Sequence, residues 1–209
     1  MKASKKEIIL SVLLCLAPIL LGIFYWNALP EQMPTHFDLN NEPDGWSSKS
    51  FAIFGIPAIL ALVDGICLLG LRSDPRAERQ SAVLQKIVLW IPGVISCGLM
   101  PMMIYIALGR TVNIAFYVQL LLGILFLVIG NYLPKCRQNF TMGIRLPWTL
   151  ADEENWNYTH RLGGFCWVLA GIVMAVNAFI GSAWVMLAVI MLAVLIPCAA
   201  SYCYYRKHR

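Results

Sequence analysis

Charge is what this sequence has least of. Only 13% of its 209 residues are Asp, Glu, Lys or Arg, about half of the ~25% that soluble domains carry, and this shortage excludes an ordinary water-soluble globule. Low-complexity tracts and internal repeats are absent, which removes disordered tails and solenoids. No G-x-S-x-G, H-E-x-x-H, Walker loop or dinucleotide fingerprint occurs, so no hydrolase, zinc-protease or nucleotide-enzyme motif supports catalysis. Disulfides are not expected either. Cys15, Cys67, Cys97, Cys166, Cys198 and Cys203 lie in apolar stretches and Cys136 in a polar one, and no C-x-x-C spacing suggests zinc.

What is there is apolar: 59% hydrophobic residues and a mean hydropathy of +0.69. Six runs have the roughly 20 residues that a hydrocarbon core of about 30 Å demands: Glu7 to Leu29, Phe51 to Leu71, Ile87 to Leu108, Val112 to Leu133, Leu162 to Ile180 and Ala183 to Tyr204. The first follows Lys2, Lys5 and Lys6, but its apolar core is too long for a secretory leader and it is read as an anchor. The fold expected is an all-α integral membrane protein with six transmembrane helices and one compact transmembrane domain.

Six spans put both termini on one side. With that side cytoplasmic, fourteen basic residues lie inside: Lys2, Lys5, Lys6, Arg72, Arg76, Arg79, Lys86, Lys135, Arg137, Arg145, Arg161, Arg206, Lys207 and Arg209. Only Lys49 and Arg110 remain outside. The positive-inside rule therefore predicts cytoplasmic termini, a polar outer loop over 30–50 and a polar inner loop over 134–161. The net charge of +5 belongs to topology and to anionic lipid headgroups, and no direct nucleic-acid partner is expected.

The stretch from Asn131 to Arg161 is the longest polar interruption of the chain. Met142, Ile144 and Leu146 alternate with Thr141, Gly143 and Arg145, the period of a half-buried extended segment. A helix is expected to begin near Leu150, with Thr149 as its cap, Asp152 completing a capping box, and Glu153 and Glu154 at the positive end of its dipole. On that helix Trp156, His160, Gly163 and Trp167 share one stripe, with Glu153 and Asn157 at its edge. Arg145, flanked by apolar residues, must pair or snorkel; Asp152, Glu153 and Asp64 are candidate partners.

The outer loop carries Glu31, Asp38, Glu42 and Asp44 against Lys49, a net of −3. Pro30, Pro34, Pro43 and the Asp44-Gly45 pair punctuate it into turns, with one short extended piece around Thr35 to Leu39. His36, Asp38, Glu42 and Asp44 form a weak metal candidate, since imidazole plus carboxylates is an acceptable ligand set; the competing reading is that they solvate the loop and cap its turns. Trp46 is an interfacial anchor. The 72–86 loop mixes signs and reads as a solvated turn with no chemistry of its own. Asp64, within the second span, costs at least about 2.5 kcal/mol to insert and is by default functional, unless a hydrogen bond within the bundle satisfies it; Asn113, Asn131 and Asn177 are available. Pro92 and Pro101 predict a kinked or interrupted third span.

Two stretches resemble known families. Around the inner loop, Gly130, Asn131, Asn139, Gly143, Ile144, Arg145, Pro147, Trp148, Thr149 and Trp156 stand in the pattern of the SdpI family of bacterial immunity proteins, with Leu146 in place of the usual threonine. In the outer loop Pro34, His36, Asp38, Pro43, Asp44, Gly45, Trp46 and Lys49 resemble a membrane domain of unknown function that often precedes the SdpI segment. There Asp38 replaces the usual asparagine and Asn41 the usual glycine. The resemblance implies an amino-terminal segment of two spans over residues 1–71 and an SdpI-type segment of four spans over 72–209. It further implies a multi-pass protein of the bacterial cell membrane, without cofactor and not an enzyme, that protects against a secreted antimicrobial peptide toxin and signals to a small cytoplasmic repressor. Beside this stand two other readings: a peptide or ion transporter using Asp64, and a membrane enzyme using His160 with Glu153 or Glu154.

Overall fold

A computed structural model describes residues 4–208; Lys2 and Arg209, counted above among the inner basic residues, lie outside them. Among the described residues, six helical stretches are long and apolar enough to cross a membrane: Lys5–Phe24, Phe51–Ser73, Ala82–Ala107, Ile114–Lys135, Glu153–Ile180 and Ala183–Lys207. All six expected spans are present, each extended or trimmed by a few residues at its ends. The chain divides into two compact units, one of residues 4–69 with Lys86–Ile114, the other of Gly70–Gln85 with residues 115–208.

In the first unit, α1 (Lys5–Leu16) and α2 (Pro18–Phe24) form one span interrupted at Ala17, because Pro18 cannot supply the next amide. Ser4 caps α1 through the Glu7 amide, and the Glu7 carboxylate returns to the Ser4 amide and to Lys86 Nζ at 2.6 Å. After a single π-helical stretch at Phe51–Gly55, α3 covers Ile56–Ser73. Helix α4, Ala82–Ala107, runs without interruption through Pro92 and Pro101, so of the expected kink or interruption the interruption does not occur. Its carbonyls freed by proline are tolerated as in other membrane helices, and Ser96 donates across to the Cys15 carbonyl at 2.7 Å.

The first polar loop is a β-hairpin, not a string of turns around a short extended piece. Strands β1 (Gln32–Phe37) and β2 (Pro43–Ser48) pair antiparallel with Met33 opposite Ser47, Pro34 opposite Trp46 and His36 opposite Gly45. The turn is built by Asp38, whose carboxylate accepts the Asn40 and Glu42 amides at 2.8 Å while Asn41 takes φ +67°. The Asp44-Gly45 pair, expected to turn, lies inside β2. Glycine is required there because a Cβ would come within 2.8 Å of His36 Cβ.

In the second unit, α5 (Ile114–Tyr132) leads into the second polar loop, the short α6 (Pro147–Ala151) precedes α7 (Glu153–Ile180), and Gly181 at φ +77° turns the chain into α8 (Ala183–Lys207). Helices α5 and α7 approach at glycines on both sides. A Cβ on Gly164 would meet the Gly130 carbonyl at 2.8 Å, and one on Gly171 the Gly123 carbonyl at 2.7 Å. Small residues at such a seam let backbones touch where lipid offers no hydrophobic driving force.

Candidate functional site

The second polar loop carries the densest set of buried polar side chains in its unit. Cys136 to Leu146 has no regular structure, so its backbone groups must find side-chain partners. Asn139, fully buried, supplies several: its Oδ1 accepts the Thr141 and Met142 amides at 2.8 and 2.6 Å, and its Nδ2 donates to the Arg137 carbonyl at 2.8 Å. Burial alternates from Met142 to Pro147, with Gly143 and Arg145 exposed.

His160 fixes the other edge of this segment. It is fully buried, stacked on Trp156 with ring centroids 4.0 Å apart. Its Nδ1 lies 2.8 Å from the Trp156 carbonyl, which can only accept, so Nδ1 carries the proton. Nε2 is then a bare acceptor and takes the Ile144 amide at 3.0 Å. Gly143 makes this approach possible. It sits at φ +95°, and a Cβ there would overlap His160 Nε2. Trp156, also fully buried, donates Nε1 to the Cys136 carbonyl at 2.7 Å. Burial pushes the Cys136 thiol up to about 11.

Thr149 and Asp152 do not act as one capping box. The Thr149 hydroxyl takes the Leu146 amide at 2.9 Å and lies 3.0 Å from the Ile144 and Leu146 carbonyls, closing the turn into α6. Asp152 is itself the cap of α7, accepting the Glu154 amide at 2.9 Å. The single helix expected from Leu150 is thus two, divided at extended Asp152. Pro147 starts α6, and Trp148 donates Nε1 to Ser201 Oγ on α8 at 2.9 Å while packing on Tyr202 and Tyr205. Ser201 in turn donates to Asn155 Oδ1 at 2.8 Å.

Three further side chains hold the loop from the 72–86 segment, which the sequence had left without a role. Asp74 accepts the Arg76 and Phe140 amides at 2.8 Å and the Thr141 hydroxyl at 2.9 Å. Burial alone would raise its carboxyl; those donors outweigh burial and hold it below its ordinary value. Gln80, fully buried, brackets Arg137, donating to its carbonyl at 2.6 Å and accepting its amide at 3.1 Å. Arg76 donates to Gln138 Oε1 at 2.7 Å, and Gln138 Nε2 reaches the Thr149 and Leu150 carbonyls. The only signal for these was the presence of amide side chains and an acid in a segment flanked by apolar helices.

Arg145 is exposed and donates to the Phe140 carbonyl rather than to Asp152 or Glu153; a neutral acceptor replaces the expected carboxylate, since Asp152 is spent on its cap. Arg161 is likewise exposed, on the Asn157 carbonyl, and Asn131 is exposed at the end of α5. Glu154 meets Tyr204 Oη at 3.3 Å. His160 meets backbone on both nitrogens, so the His160 pairing with Glu153 or Glu154 is not assembled.

In the hairpin, His36 Nδ1 contacts Asp44. Asp38 is spent on the turn, where the Glu42 amide first and then Asn40 hold its carboxyl below the usual range. Among the described residues no three His, Cys, Asp or Glu side chains converge as a metal site would require, so the four side chains of the weak metal candidate are not brought together. Trp46 is 57% exposed. Lys49, by contrast, is buried. It bonds Glu31 at 2.9 Å and the Trp26 and Leu29 carbonyls, and lies over the Trp26 ring, anchoring the hairpin's base to the chain leaving α2. Asp64 is 1% exposed; Ser11 donates to its Oδ2 at 2.8 Å, and Oδ1 has no hydrogen-bond partner among the described residues. A serine on α1 thus takes the place of the expected asparagines.

Residues 135–201 match the model of the SdpI/YfhL protein family, and residues 13–61 match the Domain of unknown function (DUF1648). Immunity protein SdpI of Bacillus subtilis (strain 168) is 31% identical over 207 residues, 97% of each chain. No solved structure matches the chain.

Proposed function

The chain belongs to the SdpI family, a multi-pass protein of the bacterial cell membrane, and from that premise we propose that it is an immunity protein protecting its cell against a secreted antimicrobial peptide toxin. The observation that carries this reading is the full-length likeness to a named immunity protein, with the family's residues Asn139, Gly143, Pro147, Trp148, Thr149 and Trp156 all spent on building one ordered loop. A loop so costly in buried polar groups is maintained for what its exposed residues present, and those are Arg145 and its neighbours.

The excess of basic residues on the loop's side of the spans supports a cytoplasmic loop and an exterior hairpin. The acidic hairpin, rigid on Lys49, then meets the peptide, and the loop is the surface that relays its arrival to a small cytoplasmic repressor. Transport through Asp64 is the second reading, supported by its one unpartnered carboxylate oxygen. The test is expression in a sensitive strain challenged with candidate peptides. Protection is expected from the wild-type chain, and Arg145→Ala is expected to abolish it while the protein still inserts, as followed by membrane fractionation. Equal survival with and without the wild-type chain would refute the immunity reading, and full protection by Arg145→Ala would refute the role of the loop.

A further inference from the structure

Beside the ordered loop lies a polar cleft of about 480 Å³ lined by Arg79, Arg137, Gln138, Glu153 and Asn157. Its walls are held in place: Gln80 brackets the Arg137 backbone, and Gln138 is fixed by Arg76 and by the Thr149 and Leu150 carbonyls. The two arginines are exposed, and among the described residues neither guanidinium is ion-paired with any carboxylate, Glu153 included. Two planar forks lining one preorganised cleft suit a tetrahedral anion, whose oxygens accept from guanidinium donors.

The position decides the source of that anion. Helix α7 has 28 residues and so rises about 42 Å at 1.5 Å per residue, against a hydrocarbon core of about 30 Å. The excess of about 12 Å falls at its polar first turns, since the apolar run begins only at Leu162, so Glu153 and Asn157 stand outside the core on the headgroup side. The geometry points to a phosphate-binding site for the headgroup of an anionic phospholipid, held by Arg79 and Arg137, with Asn157 as a neutral donor and Glu153 limiting affinity. This site is separate from toxin recognition and does not rest on the immunity reading.

The test is lipid retention by the full chain, reconstituted in bilayers of phosphatidylcholine with phosphatidylglycerol, extracted in mild detergent and read by native mass spectrometry. Phosphatidylglycerol is expected to be retained in preference to phosphatidylcholine. Arg79→Gln and Arg137→Gln should each lower its retention at least about tenfold, the effect of losing one hydrogen bond to a charged group. Glu153→Gln should raise it, Arg79→Lys and Arg137→Lys should recover only part of it, because a point charge cannot make the guanidinium's forked contact, and Arg206→Gln on α8 should lower it by no more than the roughly fivefold general effect of one surface charge. Equal retention of the two lipids, or no change in the two Arg→Gln variants, would overturn the site. Displacement of the lipid by glycerol 3-phosphate at matched concentration would overturn the headgroup assignment in favour of a soluble phosphate ester. Because among the described residues neither guanidinium is ion-paired, the variants should insert normally, and the opposite sign expected for Glu153→Gln is one that general damage could not produce.

Discussion

Gly143→Ala is the sharpest perturbation of the ordered loop. Residue 143 sits at φ +95°, a conformation that costs a non-glycine residue about 1–3 kcal/mol. The new Cβ would also land on His160 Nε2 and displace the Ile144 amide from it, leaving a buried donor or acceptor unpaired at about 1–3 kcal/mol. The sum is at least about 2 kcal/mol, a factor of roughly thirty in the opening equilibrium. Cys136 reports that opening. Its thiol is buried beneath the loop and pushed up to about 11, so it reacts with maleimide only when the segment opens. Peptide-resolved labelling of the detergent-solubilised protein should therefore show Cys136 modified at least about thirtyfold faster in Gly143→Ala, with Cys203, already exposed, unchanged as an internal reference. Adding His160→Ala to Gly143→Ala should remove the clash but not the backbone cost, so the two changes should not add. An unchanged Cys136 rate in Gly143→Ala would refute the claim that His160 and the left-handed residue jointly lock the loop.

Asp74 makes the same lock pH-dependent. Its folded pKa is lowered, so its contribution is complete above the unfolded carboxylate value of about 3.9 and is lost as pH falls through the folded value. Cys136 protection, read by a pH jump and quench, should fall in that acid window, and Asp74→Asn should weaken the lock at neutral pH and flatten the dependence. At the helix seam, Gly171→Ala should cost about 1–3 kcal/mol in thermal unfolding, because its Cβ meets the Gly123 carbonyl; Gly65→Ala, with nothing within 4 Å, should be neutral or stabilising by up to about 1 kcal/mol. Asp64→Asn keeps an acceptor for Ser11 and removes only the titratable charge, so toxin protection should survive it. Loss of protection with intact insertion would favour carboxylate-driven transport.

Much of the local misreading came from residues whose roles depend on partners far along the chain. Asp44-Gly45 has the composition of a turn, yet the glycine is needed for His36 to cross above it, and the turn falls to Asp38 because its carboxylate can take two amides at once. Asp152 was read as the answering half of a cap on Thr149. Either residue can cap, and the outcome was settled when Thr149 was drawn to the Ile144 and Leu146 carbonyls. Arg145 lacked its expected carboxylate for the same reason. Gln80 and Asp74 were invisible as scaffolding because nothing local distinguishes an amide in solvent from one bracketing a peptide 57 residues later.

Hydropathy by itself determined that six helices cross a membrane, since each must satisfy its backbone internally and bury about 30 Å of apolar length. Those are one-dimensional requirements, and they can be read from runs and periods. Which polar groups meet is a different matter. The pairing of Ser11 with Asp64, of His160 with Ile144, of Asn155 with Ser201, and the glycine seam between α5 and α7 were decided only by tertiary structure. A buried hydrogen-bonding group takes whichever partner the packed backbones bring within about 3 Å, and sequence distance places no limit on that choice.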